Sequence, residues 1–156
     1  MTEEKLKACK EDLLTTYKDV LCDESNDDIR AANNAMCLVC LLHKFATFLR
    51  YKVIPSADWA RKWFEDEKDL LNQCGVYLDQ VAVLTNPAET SIVLMGNSEV
   101  TLLVNQPDLY NVTLQDASTL HISAADVTSV TVREKGTGTT NIISQGIHSK
   151  IKIHKI

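Results

Sequence analysis

Cys37 and Cys40, three residues apart in a C-x-x-C arrangement, are the pair in this chain with a named chemistry. Two thiolates at that spacing can hold zinc or run thiol–disulfide exchange. A zinc site needs further ligands, and only Cys22, Cys74 and His43 could supply them. The pair lies inside the apolar run 35–42 rather than at a helix N-terminus or knuckle, where thiolates would be stabilised. Buried structural thiols are therefore expected, because a reduced cysteine packs as a small hydrophobe.

The remaining candidates have plain readings beside the chemical ones. Asp108, Asp116 and Asp126 recur at steps of eight and ten. Paired acids at set separations carry glycoside hydrolysis, yet aspartates at such positions are more simply explained as turn formers. His121 stands between Thr119 and Ser123 on what reads as an outward strand face, where a single histidine beside hydroxyls is ordinary surface. Gly136-x-Gly138 lacks the rest of a phosphate-binding loop and reads as a turn. Trp59 and Trp63, four residues apart, share a helix face, which favours core or subunit contact over an exposed recognition pair. No nucleophile, base and oxyanion site come together. The chain is read as a non-enzyme, with no catalytic residue, cofactor or metal ligand.

Composition narrows the partners. Net charge is −5, with eleven Lys/Arg against fifteen Asp/Glu in residues 1–85 and five against six in residues 86–156. An acidic chain without a basic stripe is a poor nucleic-acid binder. Lys150, Lys152 and Lys155 make only a small basic end. Residues 1–22 are charged throughout and have no apolar run before a cleavage site, so no signal peptide is read. The apolar run 35–42 is far short of the roughly 20 residues that span a bilayer. Five cysteines, an odd number and all within the first 74 residues, suit reduced thiols and synthesis in a cytoplasm.

The elements that must position these residues fall into two halves, residues 1–85 and 86–156. In the first, Leu6, Cys9, Leu13, Tyr17, Val20 and Leu21 recur at helical steps and predict a helix over roughly 3–22. Asp23 to Asp28 reads as a polar break rich in capping residues. A second helix over about 28–50 is apolar nearly all round and should be the most buried; Val53-Ile54-Pro55 ends it. Ser56 looks like the N-cap of a third helix over 57–74, closed by Gly75. Val76 to Leu84 reads as a first strand, and Asn86-Pro87 as the boundary. Three helices this short seldom stabilise alone, so they should pack against the other half or a partner.

The second half is a decapeptide repeat. Ile92, Leu102, Val112, Ile122, Val132 and Ile142 are all branched aliphatics at a spacing of ten, and Gly96, Gln106, Asp116, Asp126, Gly136 and Gly146 follow four residues after each. Even positions are apolar and odd ones polar, which means strands with one buried face. A β-solenoid with two repeats per coil, about three coils in all, requires such a constant length. An antiparallel meander or sandwich does not require it and is the alternative; the turns lack its Asn-Gly or Asp-Gly signal. Glu134 interrupts the aliphatic row, and Ile151 and Ile153 fall one residue out of phase. One extra residue between Ser144 and Ser149 would restore them. The fold class expected is thus α+β: a three-helix region, then a short solenoid of ten-residue rungs.

The short helical region, the Gly75-Val76 hinge and rungs such as Gly96 to Leu102 and Asp116 to Ile122 resemble small β-solenoid proteins of tailed bacteriophages of gut bacteria. The likeness covers mainly residues 90–145 and is one of pattern; rungs are few and a receptor-binding tip is lacking. A weaker resemblance is to bactofilin-type solenoids, which lack a three-helix domain. The phage resemblance implies a virion component such as a head fibre or capsid-decorating protein, made in the host cytoplasm, in which helices dock and solenoids project. The reading from the residues is a non-catalytic structural or assembly protein, for which the phage resemblance implies capsid or other virion proteins as partners; the alternative is a carbohydrate-binding or glycan-cleaving solenoid. Ile147, Ile151, Ile153 and Ile156 are too apolar for a solvated end. With Trp59 and Trp63 they are the expected contacts of a homo-oligomer, a trimer if it is a fibre.

Overall fold

The computed structural model describes residues 1–48 and 55–156. Two compact units divide at 74/75: Met1–Cys74 is helical and Gly75–Ile156 is built of strands. This moves the boundary from the expected 85/86. Val76 to Thr85 already forms two strands, and Asn86-Pro87 is a corner within the β unit.

In the helical unit, α1 (Glu3–Thr16) starts at Thr2, whose hydroxyl accepts the Lys5 N–H at 3.2 Å, and it buries Leu6, Cys9 and Leu13. It stops short of the expected residue 22. Thr15 bonds back to the Glu11 carbonyl at 2.8 Å, a competing bond that weakens a helix end. The acidic segment expected to be a break is itself helix: α2 (Asp23–Ala31) carries Asp23 and Glu24 in its first turn and Arg30 in its last. Both ends thus match the helix dipole, and Ser25 and Ile29, one turn apart, bury the inward face. A new helix, α3 (Ala35–Phe48), follows, so the single helix expected over 28–50 is two. Asn34 makes the break, its side-chain oxygen accepting the Cys37 N–H at 2.8 Å as an N-cap. The expected stop at Val53-Ile54-Pro55 lies largely outside the described residues. Ser56 caps α4 (Ala57–Phe64) through the Trp59 N–H at 3.2 Å. The helix expected to run on to 74 instead tightens into a 3-10 turn, Glu65–Glu67, before α5 (Lys68–Gln73). Three carboxylates are unfavourable at the negative end of α4 and suit the start of α5.

The β unit is a solenoid. The described residues form nine strands: β1 (Val76–Leu78), β2 (Val81–Thr85), β3 (Ser91–Met95), β4 (Glu99–Val104), β5 (Leu109–Leu114), β6 (Thr119–Ala124), β7 (Ser129–Glu134), β8 (Thr139–Gln145) and β9 (Lys150–Lys155). Odd strands form one sheet in the order β1-β3-β5-β7-β9, even strands the other in the order β2-β4-β6-β8, and all pairs are parallel. Two ten-residue rungs therefore make each coil, and four full coils and one further strand exceed the three expected. The antiparallel alternative does not occur. Ile92 pairs with Val112, Val112 with Val132, Leu102 with Ile122 and Ile122 with Ile142, a step of twenty. The first coil is shorter, Val76 pairing with Val93 and Val81 with Glu99.

Inward residues stack in columns and make the core: Leu94 on Leu114, Val100 on Leu120, Leu102 on Ile122, Tyr110 on Val130. The extra residue is Ile143, not one between Ser144 and Ser149. The pairing with β6 skips from Ile142 to Ser144 at this bulge, which returns Ile151 and Ile153 to the inward row opposite Val130 and Val132.

The turn-formers that look equivalent in sequence are two different corners. Asp79, Gly96, Asp116 and Gly136 all adopt positive φ, between 48° and 84°, at the corner leading from the odd sheet to the even one. Glycine and aspartate tolerate that conformation. At the opposite corner the left-handed residues are Asn86 and Val127.

Candidate functional site

The C-x-x-C pair does not sit inside a long helix as expected. Because α3 begins at Ala35, Cys37 lies in its first turn, and both Cys37 and Cys40 are exposed. The pair is not joined to itself. Cys37 Sγ lies 3.5 Å from Asn33 Oδ1, whereas Cys40 Sγ meets Cys74 Sγ at 3.4 Å. Cys9 is buried, and that burial pushes its thiol up to about 12. The Ser25 hydroxyl, 3.1 Å away, holds the Cys22 thiol below its ordinary value. Among the described residues, no group of three or more His, Cys, Asp or Glu could hold a metal ion.

The three corner aspartates bind backbone. Asp116 accepts the Gly96 N–H of the preceding coil at 3.1 Å, Asp126 the His148 N–H of the following coil at 3.3 Å, and Asp108 the Leu109 N–H at 2.8 Å. Asn86 accepts the Asn105 N–H at 2.9 Å in the same way, and its side-chain amide donates to the Asn105 side-chain oxygen at 2.7 Å. His121 projects outward from β6, with Nε2 3.3 Å from Glu99 Oε1. A buried series of corner hydroxyls was not picked out from the sequence. Ser98 donates between the Met95 and Tyr77 carbonyls at 2.8 and 2.9 Å, and Ser118 to the Gln115 carbonyl at 2.8 Å. Thr128 and Ser149 do likewise, to Gln106 and Gly146. The legible signal is a hydroxyl two places after a turn-former for Ser98, Ser118 and Thr128, and three places after Gly146 for Ser149. The Met95, Gln115 and Gly146 carbonyls also accept a backbone N–H, from Asp79, Ser118 and Ser149, so the hydroxyl is a second donor there and keeps its own buried oxygen bonded.

In the helical unit, Trp59 is buried, its ring 5.9 Å from that of Phe64. Trp63 is half-buried. Its indole N–H donates to Asp12 at 2.7 Å, while Lys62 reaches the other Asp12 oxygen at 3.1 Å and lies over the Trp63 ring. The Trp63 hydrogen bond holds the Asp12 carboxyl below its ordinary range. An open groove of about 480 Å³ is lined by Glu3, Glu4, Leu6, Lys7, Lys10 and Asn33. The Lys10 ammonium there is already committed to the Arg30 and Ala32 carbonyls at 2.6 and 2.8 Å.

The most distinctive surface is the last coil. β8 and β9 end their sheets and pair on one side only. Three of the inward columns end in isoleucine: Ile142 is 47% exposed, Ile153 40%, and Ile151 is half-buried against the core. The others turn polar. Thr140 follows Leu120, Gln145 follows Ala124, and Glu134, itself buried, is followed by Lys155 at 4.0 Å. Lys155 thus shares the inward face with Ile151 and Ile153, rather than lying with Lys150 and Lys152. Ile143 on the bulge, Ile147 at the corner (91% exposed) and Ile156 add to the exposed aliphatics. Comparison with protein-family models, with curated proteins and with solved structures found no match. Among the described residues, no helix is long and apolar enough to cross a membrane.

Proposed function

We propose that this chain is a non-catalytic structural or assembly protein of a tailed-bacteriophage particle, of the head-fibre or capsid-decorating kind. It is made in the host cytoplasm and enters the virion as a homo-oligomer, a trimer, alongside capsid or other virion proteins. The observation that carries the assembly role is the last coil, where unpaired strand edges coincide with exposed isoleucines. Open edges of this kind are templates for further pairing unless something covers them. The outward rows of β4 to β8 add support, for they carry mostly Thr, Ser and Asn, with a single His121 and no Phe, Tyr or Trp. A glycan-binding or glycan-cleaving solenoid would be expected to present aromatics or paired acids there.

Two measurements test the proposal. Mass spectrometry of purified virions should find the chain at a stoichiometric level; its absence overturns the phage assignment. Light scattering at micromolar concentration should give a mass above the 17.4 kDa monomer, reduced by Ile147→Ser combined with Ile153→Ser. A monomer that persists on co-expression with the capsid proteins rules out the assembly role. A clear hit on a glycan array transfers the case to the carbohydrate reading.

A further inference from the structure

Three sulfur atoms converge in the helical unit. Cys40 Sγ on α3 lies 3.4 Å from the Sγ of Cys74, the residue that ends α5, and Cys74 donates to Met36 Sδ at 3.2 Å. Met36 and Cys40 are one helical turn apart, so they reach the same spot from one face of α3. Residues 34 positions apart in the chain are therefore in sulfur–sulfur contact. One thiol, Cys40, is exposed, and the other, Cys74, is buried. That is the arrangement of an attacking thiol with a resolving thiol behind it.

We infer that Cys40 and Cys74 are a dithiol site, oxidised to an intramolecular disulfide by a low-molecular-weight disulfide. Cys40 as thiolate attacks one sulfur of that reagent, forming a mixed disulfide and expelling one small thiolate. Cys74 then loses its proton and attacks Cys40 Sγ, expelling the second. Two protein thiols become one disulfide, the reagent is reduced to two small thiols, and those thiols carry away the two protons. Selectivity comes from placement. Cys37 shares a helix with Cys40 but is turned to Asn33, Cys22 contacts Ser25, and Cys9 is buried apart. The bond ties α3 to the end of α5 and forms when the protein passes from a reducing to an oxidising medium. It stands independently of the proposed phage role.

The test treats the reduced full chain with oxidised glutathione, alkylates the remaining thiols and maps the peptides by mass spectrometry. The wild type should show a Cys40–Cys74 linked peptide two hydrogen atoms lighter than the reduced pair, with Cys9, Cys22 and Cys37 linked to no other protein thiol and any glutathione on exposed Cys22 remaining a simple adduct. Cys74→Ser should stop at a glutathione adduct on Cys40. Cys40→Ser, a change at an exposed position, should leave Cys74 unlinked, while Cys37→Ser should behave as wild type. Oxidation should raise the helical unit's melting temperature in the wild type but not in Cys40→Ser. A Cys37–Cys40 link, or a stable glutathione adduct on wild-type Cys40 without closure, overturns the inference.

Discussion

Truncating the same repeat position in successive coils should have unequal consequences. Leu102, Ile122 and Ile142 stack in one column, but the first two are fully buried and Ile142 is 47% exposed. Ile122→Ala removes about three carbons, roughly 2.5 kcal/mol at about 0.8 kcal/mol for each buried methylene. The coils on both sides are held by parallel ladders, so collapse around the void is restricted. A residual cavity of roughly 60 Å³ at about 24 cal/mol per Å³ adds about 1.5 kcal/mol. The total is about 4 kcal/mol, with a similar value for Leu102→Ala. At Ile142 about half the transfer term is lost and no enclosed void forms, leaving about 1 kcal/mol. For a unit of this size, each kcal/mol moves the melting temperature by about 4–8 °C. Ile122→Ala should therefore melt at least about 15 °C lower, and Ile142→Ala only about 4–8 °C lower. Circular dichroism melts of the three variants, at concentrations where each is monomeric, make the comparison. Equal losses at Ile122 and Ile142 in the monomer would refute the description of the last coil as open. A loss at Ile142 that grows with concentration would instead report its burial in an assembly.

Val127 holds a left-handed φ of 65° although β-branched and exposed; Val127→Asn should relieve strain and raise stability by about 1 kcal/mol, measured by urea denaturation. The depressed Asp12 carboxyl contributes stability that is complete above its unfolded value, near 3.8, and is lost as pH falls through the lower folded value. Asp12→Asn should remove that part of the acid limb, so the stability difference between the two proteins should shrink on titration below pH about 4. Under native conditions at mildly alkaline pH, iodoacetamide should label Cys22 first, because it is exposed and its thiol is acidified, and Cys9 last, because it is buried with its thiol raised to about 12. Labelling of Cys9 at the rate of Cys22 would contradict the burial of that α1 face.

Much of the solenoid is legible in the chain because every rung must have the same circumference, and that demand is written as spacing. The ten-residue row from Ile92 to Ile142 and the alternation around it locate the strands and their inward faces without any knowledge of partners. The phase slip before Ile151 likewise announces an extra residue. Its position is not announced: Ile143 and the residues after Ser144 restore the phase equally well, and the choice depends on which backbone groups remain bonded to β6. The two corner types were equally hidden, since Gly, Asp and Gln are all turn-formers while the sign of φ depends on how the chain joins one sheet to the other. In the helical half, local patterns gave poorer boundaries. Periodicity marks a face but not its ends, and the breaks at Asn34 and at Glu65–Glu67 come from capping and dipole terms of about 1 kcal/mol that compete with helix propagation. The thiol site shows the difference most sharply. Sequence proximity singles out Cys37 with Cys40, whereas the return of α5 beside α3 brings Cys74 to Cys40 from 34 residues away. Short-range order is determined by side-chain spacing along the chain, and which sulfurs meet is decided only when helices pack and long-range contacts form.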